Sequence, residues 1–370
     1  MVAMDRPHIY VFTAAVAALA AVFAMCATAA DRVEHVRTAA EPYADELQLG
    51  NSLAAAGHHE EAVPHLQRAL SLQRSQHGLF DLRQQDTLKT LADSLTALNR
   101  VPEAQDLLLY RVRVAEKNYG EGNPKVIPSV CDLGDWFSQN LLSVEARMTF
   151  QMALAIVGTT PALKDPIIVE PLRGMARTRM RAQSYPQSGD GRLVLAKRQE
   201  FDREGEEALR KAVQIVETEP SPVTPATRVE TLIQMGDWYQ IKKSPREALA
   251  YYQRAWQLIR ATPSLPESVT NAFNVPLRVY YPTPPIVMHV PGVAPANTRF
   301  HHVQVEFTVA ADGSVESARI VDHDTRDQYA RDILAAVSDS RFRPKLVDGQ
   351  PVAASAITYR EVFWTGKPRA

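Results

Sequence analysis

Alanines 62, 104 and 146 recur every 42 residues, and a recurrence of that length constrains this chain more than any other feature. A period of tens of residues means that one supersecondary unit is copied and stacked, because a single copy is too small to bury its own apolar face. Each copy carries the same helical signature. Gly50, Ala62 and Ala69 in one copy, and Gly134, Ala146 and Ala153 in another, are small residues set among larger Leu and Phe. Small residues at that spacing let two antiparallel helices approach closely. The frame returns around Ala92, Leu95, Ala104 and Leu108, and again at Gly236, Tyr239, Ala248, Tyr252 and Ala255. Gly205, Leu209 and Ala212 read as one helix of a further pair whose partner lies around 172–181. Between them the stretch near 182–198, with Pro186, Gly189, Asp190 and Gly191, reads as an inserted loop.

The run Gly57-His58-His59-Glu60-Glu61-Ala62, followed by Leu66 and Ala69, resembles a tetratricopeptide repeat. The usual period of that family is about 34, and the longer spacing here resembles the form found in kinesin light chains. Gly120-Glu121-Gly122-Asn123-Pro124 sits where that form has its connector, with Asn123 in place of His. The resemblance implies an α-solenoid of about five helix pairs over 42–261 with a concave, peptide-binding groove. In its frame, the residue after the small Gly or Ala of the first helix faces that groove, and here those residues are Asn51, Asp93, Asp135 and Asp237. Leu133-Gly134-Asp135-Trp136 even reappears as Met235-Gly236-Asp237-Trp238. An acidic ladder of this kind favours backbone amides or basic groups of a peptide. Solvated polar residues or local helix pairings explain the same positions equally well.

A different period governs the C-terminal end. Val303, Val305, Phe307 and Val309 alternate with polar residues, as in a half-buried strand. Asp312-Gly313 predicts a turn before a second strand over 315–321. Ala330, Ile333, Leu334 and Val337 then mark an amphipathic helix over 327–338, with Thr325 and Gln328 placed as a capping box. Ile357, Tyr359 and Phe363 predict a closing strand. The order strand, turn, strand, helix, Arg341-Phe342-Arg343-Pro344, Asp348-Gly349-Gln350-Pro351-Val352, strand resembles the C-terminal domain of the TonB energy-transducer family, over 301–365, with Tyr281-Pro282 as its upstream Tyr-Pro. The resemblance implies a small α+β domain, an antiparallel sheet with one helix, which binds extended segments of outer-membrane receptors. An open sheet has an unpaired edge that accepts such a strand. Ser355, Ile357, Tyr359, Glu361 and Phe363 are therefore the expected binding residues of that edge.

The two parts are joined at 262–300 by a connector whose prolines preclude a continuous helix. It is nonetheless too apolar for a free linker, since it holds Val275, Leu277, Val279, Ile286, Val287 and Val290. At the other end, 1–30 reads as a signal peptide, with Arg6, an uncharged run from Ile9 to Met25 and a small-x-small site at Ala27-Thr28-Ala29. Uncleaved, the same run would serve as an anchor. Met25 is a poor residue before a lipid-modified Cys26. Removal of 1–30 leaves Cys131 as the sole cysteine, so no internal disulfide forms, and Cys131 reads as a packed helix residue.

A net charge of −1 argues against nucleic acid as partner. No phosphate loop, nucleophile elbow or His-Glu-x-x-His stretch is present. His58-His59-Glu60-Glu61 and His301-His302 read as solvated turn residues, and Asp322-His323-Asp324 as a turn cluster rather than an acid–base set. The expectation is therefore a non-enzymatic, exported adaptor in the periplasm, without cofactor or metal, which binds proteins through the groove and the sheet edge. A scaffold without energy coupling is the alternative.

Overall fold

The computed structural model describes residues 43–158, 166–183, 191–218, 220–221, 223–284 and 300–364. The 1–30 segment and residues 285–299 of the connector lie outside the described residues. The chain divides into two compact units, 1–98 and 99–370. In the first, α1 (Ala44–Ala55) pairs with α2 (His59–His77), and α3 (Gln84–Ala97) packs on α2. The α1–α2 turn uses Gly57 at φ 82°, a backbone conformation that glycine adopts without strain. Gly50 is buried because a Cβ there would stand 2.8 Å from Leu66 Cγ.

The second unit continues the helical pattern through α4 (Val101–Tyr119), α5 (Ile127–Gln139), α6 (Ser143–Ile156), α7 (Val169–Gln183), α8 (Gly191–Val216), α9 (Pro225–Ile241) and α10 (Pro245–Ala261). Asn123 caps the short 3-10 turn ahead of α5, its Oδ1 accepting from the Lys125 N–H at 2.9 Å. The pairs α5–α6, α7–α8 and α9–α10 each pack against each other. The glycine frame is literal. A Cβ on Gly134 would stand 2.8 Å from the Phe150 ring, and one on Gly236 would stand 2.3 Å from Tyr252. In both pairs the large residue follows the glycine by sixteen positions, as Leu66 follows Gly50. The stretch 191–198, expected as part of a loop, instead belongs to α8, which runs continuously into Leu209 and Ala212. Gly191 starts that helix rather than punctuating a loop.

The proline-rich stretch is more structured than its composition suggests. After a helical turn, α11 (Glu267–Thr270), the chain forms β1 (Leu277–Tyr280), which pairs antiparallel with β4 (Arg341–Arg343). Tyr281 then enters the core of the C-terminal domain. That domain has a three-stranded antiparallel sheet in the order β3 (Val315–His323), β2 (Phe300–Val309), β7 (Ala354–Trp364). Val303, Val305, Phe307 and Val309 are buried on one face, against Ala330, Ile333 and Val337 of α12 (Asp327–Ser338). A short hairpin, β5 (Lys345–Val347) and β6 (Gln350–Val352), turns through Asp348 and Gly349, both at positive φ. At the expected Asp-Gly turn, Gly313 has φ 83°, and Asp312 Oδ1 accepts from the Ser314 N–H at 2.9 Å.

Two local expectations change. Thr325 does not cap α12. The helix begins one residue too late for it, with Arg326 at the cap position and no side-chain cap bond. Asp322 and Asp324 tie back to β2 instead, through His302 Nε2 at 2.8 Å and the His302 N–H at 2.7 Å. Cys131 lies buried in α5, where desolvation, then the nearby Glu170 and Asp135, push its thiol well up. Iodoacetamide is expected to leave Cys131 unmodified in the native protein and to label it on unfolding, which intact-mass spectrometry would show. Rapid native labelling would mean an open thiol.

Candidate functional site

The four ladder positions differ in their local surroundings. Asn51 is exposed on α1, and Asp93 pairs with Lys89 of its own helix at 2.7 Å. The other two face arginines of this same chain. Asp135 receives Arg177 Nη2 at 2.7 and 2.9 Å. Burial raises the Asp135 carboxyl, and Arg177 works against that rise. Asp237 is held more tightly: Arg343 Nε donates to Oδ1 at 2.9 Å and Nη2 to Oδ2 at 2.6 Å, while the Tyr252 hydroxyl donates to Oδ1 at 2.9 Å. This is the two-pronged guanidinium–carboxylate fork, the geometry in which such pairs are strongest. Burial alone would lower the Arg343 pKa, but Asp237 holds it raised.

Arg343 comes from the Arg341-Phe342-Arg343-Pro344 run of the C-terminal domain, so this pair fastens that domain to α9. Other contacts follow the same seam. Gln240 Nε2 donates to the Asp312 carbonyl at 2.8 Å, Lys243 meets Asp339 at 2.6 Å, and the Leu346 N–H donates to the Phe273 carbonyl at 3.0 Å. Gly313 is required here twice, since a Cβ would fall 2.1 Å from the Phe342 carbonyl and 2.3 Å from Gln240 Nε2. Sequence reasoning placed Asp237 and Arg343 in two separate motifs. Neither motif shows that the other is its partner.

The second candidate surface is β7. Ser355 is exposed, Ile357 and Tyr359 are half-buried, and Glu361 and Phe363 are buried. Ile357, Tyr359 and Phe363 pack on the core side, with Phe363 in the core itself. Thr358, Arg360 and Val362 carry the exposed face. The Tyr359 hydroxyl bonds to the Glu361 carboxylate, and burial first, then this bond, pushes the phenol up to about 12. The guanidinium of Arg278 lies over the rings of Tyr359 and Tyr281, at 4.2 and 4.6 Å from their centroids.

The two edges of the sheet differ. Along β3, the register with β2 slips at Gln304/Val305 and again at Glu306/Thr308, the latter beside Ser317 at φ 53°. Such bulges twist an edge and spoil its row of donors and acceptors. Along β7 there is one slip, at Phe307/Val309 beside Ala356 at φ 56°, and pairing is unbroken from Ile357↔Phe307 to Trp364↔Phe300. Among the described residues no strand pairs with its outer side. Among the described residues, too, no group of three or more His, Cys, Asp or Glu side chains is placed to hold a metal ion.

A family model described as Gram-negative bacterial TonB protein C-terminal matches residues 291–361. No curated protein matches the chain. Among solved structures, the Podosopora anserina putative kinesin light chain with nearly identical TPR-like repeats is similar. It is 18% identical with a TM-score of 0.42, over 60% of this chain and 96% of that one. A point variant of that protein gives a TM-score of 0.43 at the same identity and coverage. BtubC (BKLC) from P. vanneervenii is 15% identical with a TM-score of 0.37, over 60% of this chain and 91% of that one. Residues 291–361 thus match the Gram-negative bacterial TonB C-terminal family model, and they follow a region of paired helices.

Proposed function

We propose that this chain is an exported, periplasmic protein-interaction adaptor that captures an extended segment of its partner by strand addition along β7. Outer-membrane TonB-dependent receptor segments are the partner class to test first. One observation carries the reading: the β3 edge is broken by two bulges, whereas β7 offers eight regularly paired residues with no strand on their outer side among those described. Main-chain hydrogen bonds at such an edge supply affinity, and the side chains flanking it, Ser355, Ile357, Tyr359, Glu361 and Phe363 among them, supply selectivity. Export is supported by the uncharged run at 9–25 and the small-x-small site after it. Among the described residues no helix is long and apolar enough to cross a membrane. Asn51, Asp93, Asp135 and Asp237 enter the proposal as separate contact positions for basic groups, of the kind that Arg177 and Arg343 already supply to Asp135 and Asp237.

A scaffold without energy coupling is favoured by one observation. The buried Arg343–Asp237 fork fixes the domain on α9, which suits a rigid platform better than a domain that must be pulled through the envelope. The start of the mature chain and its membrane partition separate the two readings.

Strand addition is tested by proline pairs. Adjacent N–H groups on a strand point in opposite directions, so of Ile357→Pro and Thr358→Pro one removes a donor to β2 and the other an outward donor. The outward variant is expected to keep wild-type thermal stability and lose capture of a receptor-segment peptide in a fluorescence-polarisation assay. Undiminished capture by both variants would exclude β7 as the site.

A further inference from the structure

A cavity of about 690 Å³ opens between α7, α9, α11 and the chain from Leu277 to Thr283. Its volume is in the range of ligand-binding clefts. Five arginines line it, and they fall into two groups. Three are spent on internal acids. Arg173 bonds to Glu170 and Glu230, each at 3.0 Å; Arg177 bonds to Asp135 and Glu170; Arg343 bonds to Asp237. These acids are thereby neutralised in turn, so they offer little repulsion to an incoming anion.

Arg181, on the last turn of α7, and Arg278, on β1, form the second group. Among the described residues, no carboxylate is paired with either. Arg278 is also preorganised, since its guanidinium lies against the rings of both Tyr281 and Tyr359. A guanidinium held in this way presents the fork of N–H donors that suits a carboxylate. Ile233, Val269, Leu277 and Val279 add an apolar part to the lining. A lining both charged and apolar matches a peptide that carries an acid beside aliphatic residues.

We propose that this cavity is a carboxylate-binding peptide site, in which Arg278 and Arg181 hold an acidic side chain or a C-terminal carboxylate. The site is separate from strand addition at β7, and it stands if that reading fails. The test uses the purified full chain and a pool of fluorescein-labelled eight-residue peptides built in matched pairs. One arm pairs Glu or Asp with Gln or Asn inside amidated peptides, and the other pairs free C-terminal acids with amides. In at least one arm the acidic member is expected to bind about tenfold more tightly than its neutral partner, a gap of roughly 1.4 kcal/mol. The arm that shows the gap names the source of the carboxylate. Arg181→Gln with Arg278→Gln should abolish the preference. Both side chains are exposed, so helix content by circular dichroism should not change. Arg246→Gln, on a different cavity, should leave the preference intact. Absence of binding, absence of preference in both arms, or a preference that survives the double variant would each overturn the proposal. So would a preference that Arg246→Gln removes equally.

Discussion

Arg343→Ala is expected to destabilise the second unit by about 3–5 kcal/mol, because it leaves the Asp237 carboxylate buried without its cation. Both residues are only 8% exposed, so water cannot replace the lost guanidinium. An exposed pair of the same geometry would contribute no more than about 1 kcal/mol. The measurement is urea denaturation of Arg343→Ala, Asp237→Ala and the double variant. The double should be less destabilised than the sum of the singles, since removal of both charges leaves neither unpaired, and the coupling should exceed about 2 kcal/mol. A cost below about 1 kcal/mol for Arg343→Ala would show that the C-terminal domain is not held by this fork. Loss of the fork should also expose 262–284 to proteases before the helices themselves unfold, because β1 pairs with the strand that carries Arg343.

Phe150→Ala is expected to cost about 3–5 kcal/mol, in the range for removing a buried aromatic ring. Phe150 is fully buried and is touched from two sides. A Cβ on Gly134 would stand 2.8 Å from its ring, and one on Gly174 would stand 2.2 Å from it. The ring thus fills the space that two glycines leave, one on the partner helix α5 and one on α7 of the next pair. Truncation opens a cavity at a seam that backbone atoms cannot collapse to fill. Met152→Ala, two residues on but 42% exposed, should stay within about 0.5 kcal/mol. Similar thermal shifts for the two variants would refute this account of the seam.

Much of this architecture is written locally. The glycine or alanine of each first helix and the large residue sixteen positions later, as in Gly50–Leu66, Gly134–Phe150 and Gly236–Tyr252, announce helix pairs because close packing needs a small residue opposite a large one. Alternation at Val303, Val305, Phe307 and Val309 announces a strand and its buried face, since side chains on a strand alternate sides. Turn chemistry at Asp312-Gly313 and Asp348-Gly349 needs only the residues themselves.

Tertiary structure decided what depends on where the chain returns. Asp237 is legible as a groove residue by its place in the repeat, yet its carboxylate is filled by Arg343, 106 residues away. No period or local propensity encodes that meeting. The proline-rich stretch hides β1 for the same reason, because a strand of four residues is stabilised by its partner β4 and not by its own composition. β7 could be read from sequence as a strand, but its value as an edge rests on β3 being bulged and on the order β3-β2-β7. Short-range patterning follows from residue size and backbone geometry, which each position carries with it. Charge pairing, edges and cavities follow from the approach of distant segments, and only the folded chain sets that.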